Sequence, residues 1–159
     1  MSSKKPKNSQ ERNRRLTVAG EFFVAAELLR RDVHASVTYG NAKAADIVCF
    51  SEADSTCVVV EVKSTDRASW RAATGKVPEA SDKPWVFVHL NENHPAYYIV
   101  KQRVVSEIIE KDREAYFERY PTKDRAVKKG DVFNISPEQL KDHKDSWKVI
   151  TDQLLRSSS

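Results

Sequence analysis

Asp46, Glu61 and Lys63 stand out for their placement. Asp46 opens the apolar run Asp46-Ile-Val-Cys-Phe, and Glu61 and Lys63 close the run Val-Val-Val-Glu61-Val-Lys63. Two carboxylates and a lysine at the ends of neighbouring strands can hold a divalent cation and a water beside a phosphate. Mg²⁺ and Mn²⁺ suit that role, because they take carboxylate oxygens and keep several waters. Lys63 would orient or help deprotonate the attacking water and stabilise charge growing on the phosphate.

The elements that must position these groups can be read from the pattern. Ile47 to Phe50 and Cys57 to Lys63 are short apolar or β-branched runs separated by the polar stretch Ser51 to Thr56, which predicts an antiparallel hairpin. With Phe50 opposite Cys57, Asp46 falls opposite Glu61, their β-carbons about 4.5–5.5 Å apart. Two carboxylates that close repel unless a cation lies between them. Strand alternation puts Lys63 on the face of Glu61 and sends Val60 and Val62 the other way.

Upstream, Arg14 to Arg31 has helical spacing. On a wheel of about 100° per residue, Val18, Phe22, Val24, Ala25, Leu28 and Leu29 gather around Glu21, while Glu27, Arg30 and Arg31 lie on the far side. Glu27 therefore reads as a partner in surface ion pairs. Glu21 is a carboxylate in the apolar face, a costly place unless it is paired or metal-bound.

The 159 residues fit one domain, with 40% hydrophobic and 31% charged residues. Residues 1–13 read as a basic disordered tail and 14–159 as a single domain. No apolar run approaches the roughly 18–20 residues of a membrane span. The polar N-terminus has no secretory h-region, so a cytoplasmic protein without a membrane partner is expected. Cys49 and Cys57 lack metal-ligand spacing and read as two buried free thiols.

A net charge of +4 and a pI near 9.0 are compatible with nucleic acid. Arg14 and Arg15 end a basic N-terminal cluster, and Lys123, Arg125, Lys128 and Lys129 form a second basic group in a polar stretch. Lys43, Arg67 and Arg71 are further candidates for phosphate contacts. Trp70, between those two arginines, is a candidate for stacking on a base. Trp85, Phe87, Tyr97 and Tyr98 occupy strand positions and read as core.

Further strands are expected at Ala35 to Tyr39, Trp85 to Leu90 and Ala96 to Val100, and helices over Val104 to Phe117, from Ser136-Pro137-Glu138, and over Ser146 to Leu155. The stretch Asp66 to Lys83 carries no clear period, and Pro121 to Asp131 reads as loop. The order gives an α/β domain with a mixed central sheet flanked by helices.

Gly20-Glu21 in its helix, Asp46, and Glu61-Val62-Lys63 together resemble the PD-(D/E)XK nuclease superfamily. The run Val-Ala-Ala-Glu27-Leu-Leu-Arg-Arg, followed by Gly40-Asn41 and Ala-Asp46-Ile-Val, is similar to bacterial members of the Holliday junction resolvase-like and restriction endonuclease-like kind. The resemblance covers about residues 16–100.

It implies a restriction endonuclease-like core in the order αβββαβ, here with C-terminal helices. It also implies Mg²⁺- or Mn²⁺-dependent hydrolysis of phosphodiesters, usually in DNA, leaving a 5′-phosphate. Glu21, Asp46 and Glu61 would be the metal-binding acids and Lys63 the catalytic lysine. Homodimers are common among such small nucleases. Ala45 stands where the family name has proline, and Asp32 ends the helix where glycine is common. Ser64 and Thr65 follow the lysine, either as phosphate contacts or as strand-end caps. The alternative to a nuclease is a catalytically silent module that holds nucleic acid or a partner protein.

Overall fold

A computed structural model describes residues 7–39, 45–51, 53, 55–91 and 93–155. Helix α1 spans Lys7–Leu29. It begins one residue after Pro6 and takes in residues 7–13, which were expected to be tail. Nothing in 7–19 breaks a helix, and the extension is tied down by ion pairs from Arg15 to Glu11 on the same helix and from Arg12 to the distant Asp66.

The other end of α1 is closed by backbone geometry. Asp32 takes φ 58°. The N–H of Val33 donates to the carbonyl of Leu28, and that of Asp32 to Leu29. This is a Schellman closure with aspartate in the usual glycine place, and the apolar Val33 and Leu28 are both buried behind it.

The buried stripe of α1 is narrower than the wheel suggests. Val24, Ala25 and Leu28 are buried, whereas Val18, Phe22 and Leu29 are exposed. A helix lying on one side of a flat layer buries only its centre line; Phe22 turns outward onto the ring of Tyr39.

The strands are β1 (His34–Val37), β2 (Ile47–Ser51), β3 (Thr56–Thr65), β4 (Trp70–Thr74), β5 (Pro84–His89), β6 (Ala96–Lys101) and β7 (Val132–Ile135). Five of them make one mixed sheet in the order β1-β2-β3-β5-β6. All its pairings are antiparallel except β3 with β5. Helix α2 (Gln102–Arg119), a 3-10 segment (Pro137–His143) and α3 (Lys148–Leu155) complete the chain. The 3-10 segment starts as read, with a capping box between Ser136 and Gln139 and Pro137 at its first turn.

Strand alternation divides the core in two. Val58, Val60 and Val62 of β3 face α1 and α3, in a cluster with Val86, Ile99 and Ile150. Trp85, Phe87 and Val100 face the opposite way, toward Val105 and Ile109 of α2, Leu140, and Trp70 and Ile135. Helices thus flank both faces of the mixed sheet.

Two features were not expected. The stretch Asp66 to Lys83 contains β4, which pairs antiparallel with β7 as a separate two-stranded ribbon. The passage from β3 to its parallel neighbour β5 therefore runs through β4 and an extended segment, not through the helix that an αβββαβ order requires. Among the thiols, Cys49 is buried and Cys57 exposed. Burial, with a smaller contribution from Cys57, pushes the Cys49 thiol up to about 12. Cys57 lies on the face of β3 that turns away from Val58 and Val60. No described helix is long and apolar enough to cross a membrane.

Candidate functional site

The β2–β3 register is the one the sequence implies, with Phe50 opposite Cys57 and Ile47 opposite Val60. Asp46 sits one residue before β2, and its N–H still donates to the carbonyl of Val60. Its Oδ2 accepts the N–H of Val62 at 2.7 Å. That bond holds the carboxylate against β3, beside Glu61.

Glu61 lies between two ammonium groups. Lys63 Nζ is 2.7 Å from Oε1, and Lys83 Nζ is 3.0 Å from Oε2. Lys63 also stands over the Trp85 ring, 5.3 Å from its centroid, a cation–π contact that fixes the lysine stem. Lys83 precedes Pro84, the first residue of β5, and the parallel pairing of Glu61 with Trp85 brings it into reach. Sequence reading missed Lys83, because parallel pairing of β3 with β5 leaves no local signal.

Glu21 is brought close by packing at Gly20. A β-carbon there would lie 1.7 Å from Ser64 Oγ and 2.8 Å from Ser64 Cβ. Only glycine lets α1 approach the end of β3 this closely. Ser64 Oγ is sealed beneath the helix with no hydrogen-bond partner among the described residues, so Ser64 is not placed to contact phosphate.

The three acids differ in their electrostatics. Burial raises the pKa of Glu21 above the ordinary 4.5, and the charges of Asp46 and Glu61 raise it further. Burial likewise raises Asp46 above 3.8; the Val62 N–H and the lysines pull it down, but not enough, and Glu61 pushes it up. For Glu61, burial also disfavours the charge, yet Lys63 and Lys83 outweigh it and leave the pKa lowered. One acid is neutralised by lysines, and two carry an uncompensated cost.

A cleft of about 610 Å³ opens on this group, lined by Asp46, Glu61 and Lys63, by Asn13 and Thr17 of α1, and by Arg67 and Arg71. Glu21 is one turn beyond Thr17 and is not part of the lining. Among the described residues, no three Asp, Glu, His or Cys side chains form a group able to hold a metal. Of the three acids expected to bind metal, Asp46 and Glu61 line the cleft and Glu21 does not. Glu21 is coupled to both by charge.

The arginines sort clearly. Arg67 and Arg71 are exposed and line the cleft, and the charge of Arg67 also acts on Asp66. Arg14 and Arg15 lie on exposed faces of α1 away from the lining, and Arg15 is 3.5 Å from Glu11. Arg12, another member of the basic N-terminal cluster, pairs with Asp66, which lines the cleft. Lys43 lies outside the described residues.

Trp70 corrects the stacking expectation. It is 1% exposed, its Nε1 donates to the Val88 carbonyl at 2.9 Å, and it packs edge-on against Phe87 and Tyr98. Its indole is a core anchor, with no face open to a base. No family model matches this chain, and no curated protein matches it either.

Proposed function

We propose that this protein is a divalent-metal-dependent nuclease acting on DNA, built on a restriction endonuclease-like core. The observation that carries the reading is the pair Asp46 and Glu61, held side by side at the start of β2 and within β3, with Lys63 bonded to Glu61 and all three lining one cleft. Arg67, exposed on the same cleft, suits a phosphate beside the reacting one. The α1 helix followed by three antiparallel strands and a parallel fourth supports the core assignment; the missing crossover helix is this chain's departure from it.

The donor set fits Mg²⁺ or Mn²⁺ in one respect. Mg²⁺ is commonly held by one or two carboxylates, waters and substrate phosphate, so two acids suffice. Burial, more than the charge of Glu61, raises the Asp46 pKa, and a bound cation would favour its ionised form. Asp46 and Glu61 would hold the ion, which supplies a Lewis acid for the phosphoryl oxygen and a lower pKa for water. Lys63 orients the attacking water and stabilises the charge that develops on the phosphate. Lys83 keeps Glu61 ionised. Glu21 adds negative potential from behind.

The test is cleavage of plasmid and branched DNA with Mg²⁺ or Mn²⁺. The wild type is expected to cut, and Asp46→Ala and Lys63→Ala to fold and not cut. Absence of cutting on every DNA substrate with either metal overturns the reading.

One observation favours a second reading. Both oxygens of Glu61 are occupied by lysines, and no three-acid group exists among the described residues. A site so neutralised suits a module that binds nucleic acid or a partner protein without cutting it. Calorimetry with Mn²⁺ separates the two: a site lost in Glu61→Ala favours the nuclease, and no site in the wild type favours the binding module.

A further inference from the structure

The β4–β7 ribbon has a face that the core does not use. Its inner face is anchored by Trp70 opposite Ile135, both buried. Its outer face carries Arg71 directly opposite Asn134, and Thr74 opposite Val132, all four exposed. A register irregularity between Arg71 and Ala73 lies beside the first pair, and such bulges re-aim side chains next to functional sites. Neither Arg71 nor Asn134 has a side-chain partner among the described residues.

This face is a ridge between two clefts. Arg71 and Asn134 line the cleft that holds Asp46 and Glu61. Asn134 and Val132 also line a cleft of about 490 Å³ on the other side, with Lys123 and Lys128. The acids of that second cleft are engaged internally. Asp112 accepts from Gln139, Asp124 from the Ala126 N–H, and Asp131 from the Lys128 N–H. The lysine ammonium groups have no such partners among the described residues. Cations stand on both sides of the ridge, on the second side together with the carboxylates of Asp112, Asp124 and Asp131, whose donors are neutral N–H groups.

We propose that the β4–β7 ribbon enters the major groove of duplex DNA and reads base edges through Arg71 and Asn134. The proposal rests on the nuclease reading and adds to it the form of the substrate. Five residues at about 3.4 Å each make a strand of roughly 17 Å. A two-stranded ribbon of that size fits a groove about 12 Å wide. Arginine pairs with guanine and asparagine with adenine in two-bond contacts, and a methyl-bearing threonine or valine suits thymine. Here those side-chain types lie side by side on one surface. Lys123 and Lys128 then reach backbone phosphates on the side away from Asp46 and Glu61.

The experiment is a binding selection from a randomised duplex library in EDTA, so that cutting is not the readout. Wild type, Arg71→Ala and Asn134→Ala are compared, with thermal melts to confirm folding. The wild type is expected to enrich particular bases at one or two adjacent positions, by about tenfold or more over the worst base. Asn134→Ala should flatten one position and Arg71→Ala its neighbour, while affinity for unselected duplex changes less.

Three results overturn the proposal: no base preference in the wild type, equal weakening on all sequences in both variants, or no duplex binding. Base preference without metal-dependent cutting would sink the nuclease reading alone. Cutting without base preference would sink the ribbon proposal alone.

Discussion

The main-chain N–H of Val62 donates to Asp46 Oδ2 at 2.7 Å, so the strand that carries Glu61 also holds the acid facing it. The bond needs only an acceptor, which an amide oxygen can supply. The charge of Asp46 is not needed for the fold, and its raised pKa means that ionisation opposes folding. The sign follows from linkage. An acid raised in the folded state costs stability above that pKa and nothing below its unfolded value. Asp46→Asn is expected to raise the melting temperature at neutral pH, by about 1 kcal/mol of stability, while abolishing cleavage. The gain should fade as pH drops through the Asp46 pKa, which thermal melts over a pH series will show.

Glu61 predicts the opposite sign. Its lowered pKa means that its charge stabilises the fold above the ordinary 4.5, and that this is lost as pH falls through the lowered value. Glu61→Gln leaves Lys63 and Lys83 crowded without their counter-charge. A loss of about 1–2 kcal/mol is expected at neutral pH, of the order of one charge-assisted hydrogen bond discounted for partial exposure. Chemical denaturation of both variants side by side is the check. Equal shifts of the same sign would contradict the charge assignment.

The acid limb of activity should lie above that of an ordinary carboxylate. In the proposed site the metal would require ionised Asp46, and burial raises its pKa. A pH series of Mn²⁺ affinity in the wild type should therefore fall off at a pH higher than 3.8. Lys83→Met removes one of the groups that hold Glu61 ionised, and is expected to move that fall-off further up.

Ser64 offers a stability gain. Its hydroxyl is sealed against Gly20 with no partner among the described residues, and an unsatisfied buried polar group is costly. Ser64→Ala is expected to gain about 1 kcal/mol and leave DNA affinity unchanged. Gly20→Ala should lose about 1–3 kcal/mol by overpacking, and should lower activity as α1 and Glu21 are pushed off β3. Denaturation and cleavage assays on the two variants measure both effects.

Phosphate contacts carry their own signature. Arg67→Ala should weaken DNA binding on all sequences, and reduce the slope of log K against log salt by about 1. Arg15→Ala, on a helix face away from the cleft, should change that slope little. Fluorescence titrations at several salt concentrations distinguish them.

Local relationships were legible in the sequence, and distant ones were not. The β2–β3 register followed from a short loop and an alternation that admits one pairing. Glu27 was separated from Glu21 by helical phase, and its ion pairs with Arg30 and Arg31 follow that phase. The ribbon was missed because β4 is five residues long, irregular in register, and paired with a strand some sixty residues on. That same miss made Trp70 read as a surface aromatic. Lys83 escaped because its role depends on a parallel pairing. The helical start at Lys7 was obscured by polar composition, which resembles a tail until Asp66 supplies a distant anchor.

Strand β3 sends Val58, Val60 and Val62 to one side and Glu61 and Lys63 to the other. A slip of one residue against β2 or β5 would carry the acid and the lysine into the apolar layer and expose the valines. The hydrophobic core therefore proofreads the reactive group: a molecule with β3 in the wrong register does not gain the stability of a folded one. Any population that melts cooperatively has Glu61 and Lys63 on the open face, and loss of activity without loss of cooperativity points to side chains rather than to misaligned strands.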